Sequence, residues 1–315
     1  MRRGWYMGVL VVAGMALLAA SNEARQTRAS LTLHEVGDNL YMLANAPAVQ
    51  GMGGGGNTAI FVTNEGVVLV DTKISGYGPD IVAHVRQITD IPITTIINTH
   101  THWDHSGSNN EFPDTVDFIV HENTLAHMAR PTCVDGAGYQ GGSITNCEAF
   151  KGENAKYLPK TTFETRTSLL SGPEQIDLYY FGRGHTDGDA FVVFKEARVM
   201  HTGDMFARRG LPFLDVENTN GSAIEFGATL QQAVDGIDGV DSIITGHDNV
   251  PRTWDDFVNY NGFYNDLLAK TQAGLEAGQS VDDVVSTYTV PTQYEDFQAT
   301  EERLRATVQY IFEGR

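Results

Sequence analysis

Residues 99–105 read THTHWDH and follow the β-branched, apolar run Thr95–Asn98. That run is typical of a buried strand, so the motif begins where a rigid strand gives way to a loop. Within six positions the motif offers three imidazoles and one carboxylate, the ligand types that zinc and related divalent ions accept. Burying these groups without a metal or partners would cost solvation energy. A polar, exposed turn is the alternative interpretation, and the pattern favours a metal site.

Three further candidate ligands stand in turns that follow strand-like segments. His185 lies in the glycine-rich stretch GRGHTDGD at 182–189, Asp204 ends the segment VMHTGD, and His247 lies in TGHD. Glycine beside His185 lets the backbone approach a metal closely and leaves the imidazole free to reach it. Taken singly, each residue could equally be a turn aspartate or a histidine satisfied by the backbone. Together with residues 99–105 they indicate one site.

A repeated pattern indicates how these residues are brought together. Residues 57–71 and 189–204 each read as a β-hairpin whose second strand ends in aspartate. Each hairpin is followed by a helical pattern and then by a strand ending in histidine, at His100 and His247. Two such halves predict two sheets packed face to face, helices outside, and a site along the shared edge. A chance likeness of two hairpins is the alternative.

In this order the residues resemble the complete motif set of the metallo-β-lactamase superfamily, over roughly residues 30–250. The resemblance implies an αββα four-layer sandwich of the α/β class, with a metal site at the edge of the two sheets. It implies that Asp71 orients ligands rather than binding directly. It also implies two metals, one bound by His100, His102 and His185, a second bound by Asp104, His105 and His247, with Asp204 bridging them.

The ligand types set the chemistry expected of such a centre. Histidine and carboxylate without thiolate favour two Zn²⁺ per chain, with iron or manganese as alternatives. Two divalent cations lower the pKa of bound water, so that hydroxide becomes available near neutral pH, and they polarise a carbonyl. Asp104 is the candidate catalytic residue, placed to orient the hydroxide and to pass a proton to the leaving group.

The resemblance leaves the substrate open, because one fold hosts many reactions. We expect hydrolysis of an ester, lactone, thioester or amide bond of a small molecule. A β-lactamase is the alternative among hydrolases, although the first group of such enzymes usually carries cysteine where this chain has Asp204. A non-catalytic metal-binding protein is the alternative of another class, and the intact set of ligand residues disfavours it.

Three features beside the motifs are candidates for substrate contacts. Residues 51–56, GMGGGG, could form a mobile flap or a plain connector. Arg208 and Arg209 could pair with a substrate carboxylate, although solvated side chains are the simpler interpretation. Trp103 is expected to pack beneath the histidine loop rather than to touch substrate.

The N-terminal sequence predicts export. Arg2 and Arg3 precede the apolar run Trp5–Ala20, and small residues close it, as in a secretory signal peptide occupying residues 1–20. A membrane span is the alternative, but about 16 apolar residues are marginal for one. The rest of the chain, 21–315, is expected to be one hydrolase domain that is periplasmic or secreted and does not bind membranes.

The chain is strongly acidic. Its 315 residues include 40 acidic and 21 basic side chains, a formal net charge of −19. Loss of Arg2 and Arg3 with the signal peptide would leave 19 basic side chains and a net charge near −21. Such acidity disfavours nucleic acid and anionic membranes as partners. The expected partner is a small-molecule substrate, and the sequence leaves the oligomeric state open.

Two segments stand apart from the repeated halves. Residues 131–160 look like an inserted loop and contain both cysteines, Cys133 and Cys147. In an exported protein a disulfide is the favoured interpretation, with two free thiols as the alternative. It would close a loop of about 15 residues and contribute roughly 3 kcal/mol. The C-terminal part, 253–315, shows helical patterns at 253–277, 280–287 and 294–312.

Overall fold

The computed structural model describes residues 30–47, 53–134 and 142–315. The predicted signal peptide, residues 1–20, lies outside the described residues, as do Gly51 and Met52 of the glycine-rich stretch. In the described chain, two β-sheets face each other and helices cover their outer faces. This arrangement confirms the predicted αββα sandwich.

The first sheet has seven strands in the described residues, and they lie side by side in chain order. They are β1 (Leu31–Gly37), β2 (Leu40–Asn45), β3 (Thr58–Val62), β4 (Val67–Val70), β5 (Ile93–Ile97), β6 (Asp117–His121) and β7 (Thr161–Phe163). Strands β1 to β4 pair antiparallel, whereas β4 to β7 run parallel to one another. Parallel neighbours end at the same edge of a sheet, so the chain leaves β4 and β5 at one edge.

The second sheet has six strands in the described residues, in the order β13-β12-β11-β10-β9-β8. They are β8 (Arg166–Leu169), β9 (Ile176–Tyr179), β10 (Phe191–Phe194), β11 (Val199–His201), β12 (Ser242–Ile244) and β13 (Arg252–Thr253). Only β11 and β12 pair parallel; the other neighbours are antiparallel. This sheet therefore also sends two consecutive strand ends, those of β11 and β12, to one edge.

The helices join and cover these strands. They are α1 (Gly78–Ile88), α2 (Trp103–Ser106), α3 (Glu122–Met128), α4 (Val216–Thr219), α5 (Ala223–Gly236), α6 (Trp254–Glu276), α7 (Val281–Thr287) and α8 (Glu301–Phe312). Helix α1 connects β4 to β5, and α5 connects β11 to β12, so the predicted hairpin–helix–strand unit occurs once in each half. In the described part of the chain, no helix combines the length and apolar character needed to cross a membrane.

Hydrophobic clusters between and outside the sheets hold the four layers together. Successive strand residues point to opposite faces, so each strand contributes to both sides. Ile97 of β5 and Val192 of β10 belong to the cluster between the sheets. Their neighbours point outward: Ile96 packs in the cluster that contains residues of α1, and Val193 packs in the cluster that contains residues of α5, α6 and α8. The site at the sheet edge thus rests on a core that is packed on both sides.

The C-terminal part is helical, with one departure from the predicted pattern. Helix α6 begins at a capping box formed by Thr253 and Asp256, but the last helix begins at Glu301 rather than at 294. Gln298 pairs through its backbone with Arg209 and Leu211 of the loop after β11, so the chain is extended there. A tertiary pairing has replaced the first two helical turns that periodicity predicts.

The inserted segment is tied to the fold by its cysteines. Cys133 and Cys147 form a disulfide, which confirms the predicted pairing. Just before Cys147 the chain supports the histidine loop: the backbone N–H of Trp103 donates to Ile144 O at 3.1 Å, and Thr101 Oγ1 donates to Thr145 O at 2.9 Å. The insertion is therefore part of the wall of the site.

Candidate metal centre

The seven predicted ligand residues come from four loops at the common edge of the two sheets. His100 and His102 lie in the loop after β5, and α2 follows at once, carrying Asp104 and His105. The other half supplies the remaining three from the turn before β10, the 3₁₀ turn after β11 and the turn after β12: His185, Asp204 and His247. Chain segments more than 140 residues apart thus meet at one point.

The side chains of these residues converge closely. His102 Nδ1 and His185 Nε2 are 2.9 Å apart, and His105 Nε2 and His247 Nε2 are 3.3 Å apart. One oxygen of Asp204 lies 3.3 Å from His105 Nε2 and 3.2 Å from His247 Nε2, while its other oxygen lies 3.7 Å from His185 Nε2. Asp204 therefore stands between the two histidine groups, as the predicted bridging role requires.

Unpaired polar atoms at the centre of this cluster fit a metal. His100 Nε2, Asp104 Oδ2 and Asp204 Oδ1 are buried, and among the described residues they find no partner in hydrogen-bond geometry. The contacts of Asp204 Oδ1 with the histidines are short, but their angles are not those of hydrogen bonds. Buried polar atoms are normally satisfied, so donors that face one another across a small space have the chemistry of a cation site.

The donor atoms group as the two-metal prediction expects. Three sets could each hold an ion, with their donor atoms within 4.8 Å of one another. Two of these sets are the predicted ones, and the third joins His100, His105 and Asp204 across them. Seven histidine and carboxylate donors without thiolate suit zinc, and the residues present therefore fit the metals that the sequence implies. The binding role of each residue stays a prediction.

Hydrogen-bond partners outside the cluster orient several of the rings so that one nitrogen faces the centre. Asp71 accepts from His105 Nδ1 at 2.7 Å and from the backbone N–H of Thr99 at 2.8 Å, which agrees with the orienting role predicted for it. His185 Nδ1 donates to Phe213 O at 2.7 Å. With one nitrogen of each ring engaged outward, the other is left for a metal.

Asp215 is an orienting residue that the sequence analysis missed. Its Oδ2 lies 3.0 Å from His102 Nε2, so that Nδ1 of His102 faces the centre. The same side chain caps α4 by accepting from the backbone N–H of Asn218. Burial opposes ionisation of Asp215, but the hydrogen bond from His102 outweighs it and lowers the pKa of the carboxyl. An aspartate preceding a short helix is the only signal in the sequence, and it predicts a cap.

The electrostatics divide the cluster into two halves. Burial lowers the pKa of His100 well below its ordinary value, and the neighbouring His105 lowers it further. Burial also opposes protonation of His105 and His247, but the carboxylates of Asp104 and Asp204 outweigh it and raise the pKa of both. Cations bound here would compete with protons on these histidines, so acid weakens metal binding.

Two buried basic residues support the centre from behind. His201 lies in β11; its Nε2 is 3.2 Å from Asn57 O, and burial lowers its pKa to about 4, so it is a neutral structural residue. Lys73 is fully buried and donates from Nζ to Gly56 O at 2.7 Å. Burial lowers the pKa of Lys73 to about 7, against the attraction of Asp71.

The described part of the glycine-rich stretch, Gly53–Gly56, is packed rather than free. Gly56 donates its N–H to Asp104 O at 2.8 Å, and a Cβ on Gly56 would come within 2.3 Å of the His105 ring. Glycine is needed here because the backbone passes directly against a predicted ligand. This part packs behind predicted ligands, neither as a flap nor as a plain connector; Met52 lies outside the described residues.

A cavity of about 490 Å³ opens above the centre. Its floor includes Asp104, His185, Asp204 and His247. Trp103 lines the wall, contrary to the expectation that it packs beneath the loop, because it begins the short helix α2 at the rim. The arrangement can therefore hold cations, a small molecule above them, and a carboxylate, Asp104, that faces both.

Comparison with known proteins supports the same fold. The family model described as the metallo-beta-lactamase superfamily matches residues 51–253. No curated protein sequence matches the chain.

Solved structures with this fold share little sequence with the chain. A metallo-beta-lactamase from Pontibacter korlensis superposes with a TM-score of 0.59 at 16% identity, over 75% of this chain and 99% of that one. The stereoselective inverting sec-alkylsulfatase Pisa1 from Pseudomonas sp. gives a TM-score of 0.65 at 16% identity, over 89% of this chain and 50% of that one. The DIM-1 metallo-beta-lactamase gives 0.56 at 15% identity, over 75% of this chain and 98% of that one. Such identities show the fold alone.

Proposed function

The chain belongs to the metallo-beta-lactamase superfamily, and from that premise we propose that it is a dinuclear, zinc-dependent hydrolase. Its substrate is a small molecule with an ester, lactone, thioester or amide bond. The observation that carries the proposal is the convergence of seven histidine and aspartate side chains beneath an open cavity, and three of these side chains have a buried donor atom without a hydrogen-bond partner among the described residues.

We propose that two groups of residues each bind one cation. His100, His102 and His185 would hold one, Asp104, His105 and His247 the other, and Asp204 would join them. Bound there, the cations would make water acidic enough to attack at neutral pH and would polarise the acyl carbonyl. The donor types favour zinc, with iron or manganese as alternatives.

Asp104 would transfer the proton of the attacking water to the leaving group. Its Oδ2 is buried, lacks a hydrogen-bond partner among the described residues and lies beside the cavity. It can accept a proton from the attacking water and return it to the leaving oxygen, sulfur or nitrogen as the acyl bond breaks. The backbone N–H of Gly56 holds the Asp104 carbonyl at 2.8 Å, which fixes the start of α2 and limits the movement of the side chain.

Two alternatives remain. A β-lactamase is the alternative among hydrolases, and two similar structures carry that name. A non-catalytic metal-binding protein is the alternative of another class, and the cavity above the centre disfavours it because a binder needs no such space.

Metal content and turnover test the proposal together. Zinc-loaded protein is expected to hold two metals per chain by mass spectrometry of the native protein and to hydrolyse at least one acyl substrate. The panel comprises aryl esters, lactones, thioesters, nitrocefin and a carbapenem, with a secondary alkyl sulfate because one similar structure is a sulfatase. Turnover of nitrocefin alone would favour the β-lactamase, and two metals without any hydrolysis would favour the binder.

The bridging role of Asp204 gives a sharper prediction. Asp204→Ala should lower occupancy of the second metal and turnover together, because it removes the one carboxylate that, among the described residues, reaches both histidine groups. Asp238→Ala is the matched control, because that side chain is 99% exposed and pairs with Lys195 at the surface. Unchanged metal stoichiometry and rate in the Asp204 variant would exclude a bridging role.

We also propose that the protein is exported, to the periplasm or beyond the cell, and that its partner is a small molecule rather than nucleic acid or a membrane. The signal-like residues 1–20 and the Cys133–Cys147 disulfide support export, because disulfides persist in oxidising compartments. The mass of protein purified from a periplasmic fraction tests this: loss of about 20 residues is expected, and full-length protein confined to the cytoplasm would contradict it.

A further inference from the structure

We propose that helix α8 completes the substrate pocket, and that Arg303 on this helix, together with Arg208, binds an anionic group at the far end of the substrate. The substrate class is an acyl compound with an apolar body and a terminal carboxylate. The inference rests on the proposed function, because the molecule that the arginines hold is the one cleaved at the metal centre.

The cavity above the centre has two unlike sides. One side is formed by the predicted metal ligands, and the other by Arg208, Leu211 and Phe213 of the loop after β11 and by Thr300 and Arg303 at the start of α8. Arg208 and Arg303 therefore face the same space as the reacting groups. A ligand whose reactive bond lies at the metals would extend toward them.

The ring of Phe213 lies between the predicted metal ligands and Arg303. Its ring lies 5.9 Å from the ring of His185 and 6.2 Å from that of His102, and the guanidinium of Arg303 lies 5.0 Å above it. A single aromatic ring thus separates the cation from the metal-side imidazoles. Phe213 is 38% exposed, a large apolar surface that is left for a ligand to cover.

The charges of Arg208 and Arg303 are not paired with an acidic side chain among the described residues. Three arginines line the cavity, and Arg209 is neutralised by Asp256 and by Asp296 at 3.5 Å. Arg208 and Arg303 form no ion pair with any described residue, although the chain has 40 acidic side chains. Guanidinium groups bind carboxylates in a fixed, two-pronged geometry, and a cation-lined cleft in an acidic protein attracts anions.

The backbone joins the two segments that carry the arginines. Leu211 donates its N–H to Gln298 O at 2.9 Å, and Gln298 donates to Arg209 O at 3.2 Å. This pairing, which replaced the first turns predicted for the last helix, fastens the loop that carries Arg208 to the segment that leads into α8. Because the two backbone segments are joined, less freedom is lost when both arginines bind one anion.

Arg303 also lies outside the part of the chain that matches the family model, which ends at residue 253. The match therefore assigns no role to α8 or to the segment before it. Gln298, Thr300 and Arg303 nevertheless line the cavity.

Paired substrates test the proposal on the zinc-loaded protein. The 4-nitrophenyl monoesters of adipic and suberic acid end in a carboxylate, and 4-nitrophenyl hexanoate and octanoate are their neutral counterparts. The wild type is expected to prefer the anionic ester in kcat/KM by tenfold or more. Arg303→Gln and Arg208→Gln should each remove at least fivefold of that preference, mainly through KM, and change the neutral esters less than twofold.

Arg305→Gln is the matched control. It lies two positions further along α8, where Arg305 is paired with Asp282 and Glu301 and does not line the cavity. This variant should keep the wild-type preference, and Arg303→Lys should keep part of it. An equal rate on both esters in the wild type, or an unchanged preference in Arg303→Gln, would show that the arginines are merely solvated.

A binding measurement separates failure of this inference from failure of the proposed hydrolase. Calorimetric titration with suberate and with octanoate needs no turnover. Tighter binding of suberate that is lost tenfold in Arg303→Gln, in a protein that cleaves no ester, would keep the anion site and reject the hydrolase. Ester cleavage with equal binding of both acids would do the reverse.

Discussion

At the scale of single residues, a predicted metal ligand depends on the partner of its outer nitrogen. His102 is turned by Asp215 and His105 by Asp71, each through a carboxylate at 3.0 Å or less. These contacts fix which nitrogen faces the metal before any metal binds. Removing such a carboxylate leaves the ligand in place but frees its ring.

Asp215→Asn should therefore weaken metal binding without removing a ligand. We expect the affinity of the site containing His102 to fall by roughly 10–100-fold, because the amide holds the imidazole less strongly than the carboxylate does. Zinc competition against a chelator measures this. Glu217→Gln, on the same short helix but paired with Arg315 at the surface, is the control, and equal affinity in both variants would refute the orienting role.

Lys73 gives a second prediction at this scale. Burial lowers its pKa from 10.5 to about 7, so between these values the folded protein has released a proton that the unfolded chain keeps. The free energy of unfolding should therefore rise with pH across this window, by up to about 5 kcal/mol, and the burial penalty is fully present below pH 7.

Denaturant unfolding from pH 6 to pH 10, with chelator present, measures this contribution as the difference between wild type and Lys73→Met. The variant should lack the rise. Lys156→Met changes a lysine at the surface and should keep it. Parallel curves for wild type and Lys73→Met would show that Lys73 does not titrate in the folded protein.

At the scale of elements, the inserted segment acts on the site through the disulfide. The bond joins Cys133, which follows the end of α3, to Cys147, and residues 143–146 between them contact the histidine loop and the cavity. The cross-link limits the unfolded chain and also holds Ile144 at the cavity wall.

Replacing Cys133 and Cys147 with serine should lower the free energy of unfolding by about 3 kcal/mol, the value for a loop of this length. It should also raise KM, because the wall at Ile144 loses its tether. Urea unfolding and steady-state kinetics measure the two effects. Wild type treated with reductant should behave like the double variant; stability unaffected by either treatment would contradict the prediction.

At the scale of the whole molecule, the C-terminal helices belong to the same core as the second sheet. Leu304 of α8 packs in one cluster with Tyr260 of α6, Phe226 of α5 and Met200 of β11. Because the cluster is continuous, α8 has no separate core of its own. We therefore expect the pocket wall that α8 supplies to unfold together with the sandwich.

Leu304→Ala should destabilise the whole described fold by about 2–5 kcal/mol through the cavity it leaves. Circular dichroism and tryptophan fluorescence during chemical unfolding should show one transition that shifts together for both probes. Gln309→Ala, on the exposed face of α8, should leave it unchanged. Two transitions, of which only one moves, would show that α8 unfolds separately.

Local patterns in the sequence are enough to predict the fold and the seven candidate donor residues. Alternation of apolar residues and the repeated hairpin–helix–strand unit predict the two sheets, because each of these patterns is local. The seven candidate ligands follow from residues 99–105 and from three turns, because strand ends at one sheet edge must lie together. Element boundaries were less accurate, as at 294–300, where pairing with residues 209–211 overrides helix periodicity.

The surroundings of those residues depend on contacts between segments far apart in the chain. Asp215 is 113 positions from His102, and Arg303 lies on a helix outside the repeated halves; neither belongs to a local pattern that points to the site. Trp103 was placed wrongly for the same reason, since its surroundings come from the inserted segment. Sequence periodicity reports which face of an element is buried, whereas contacts between distant segments depend on how the layers pack.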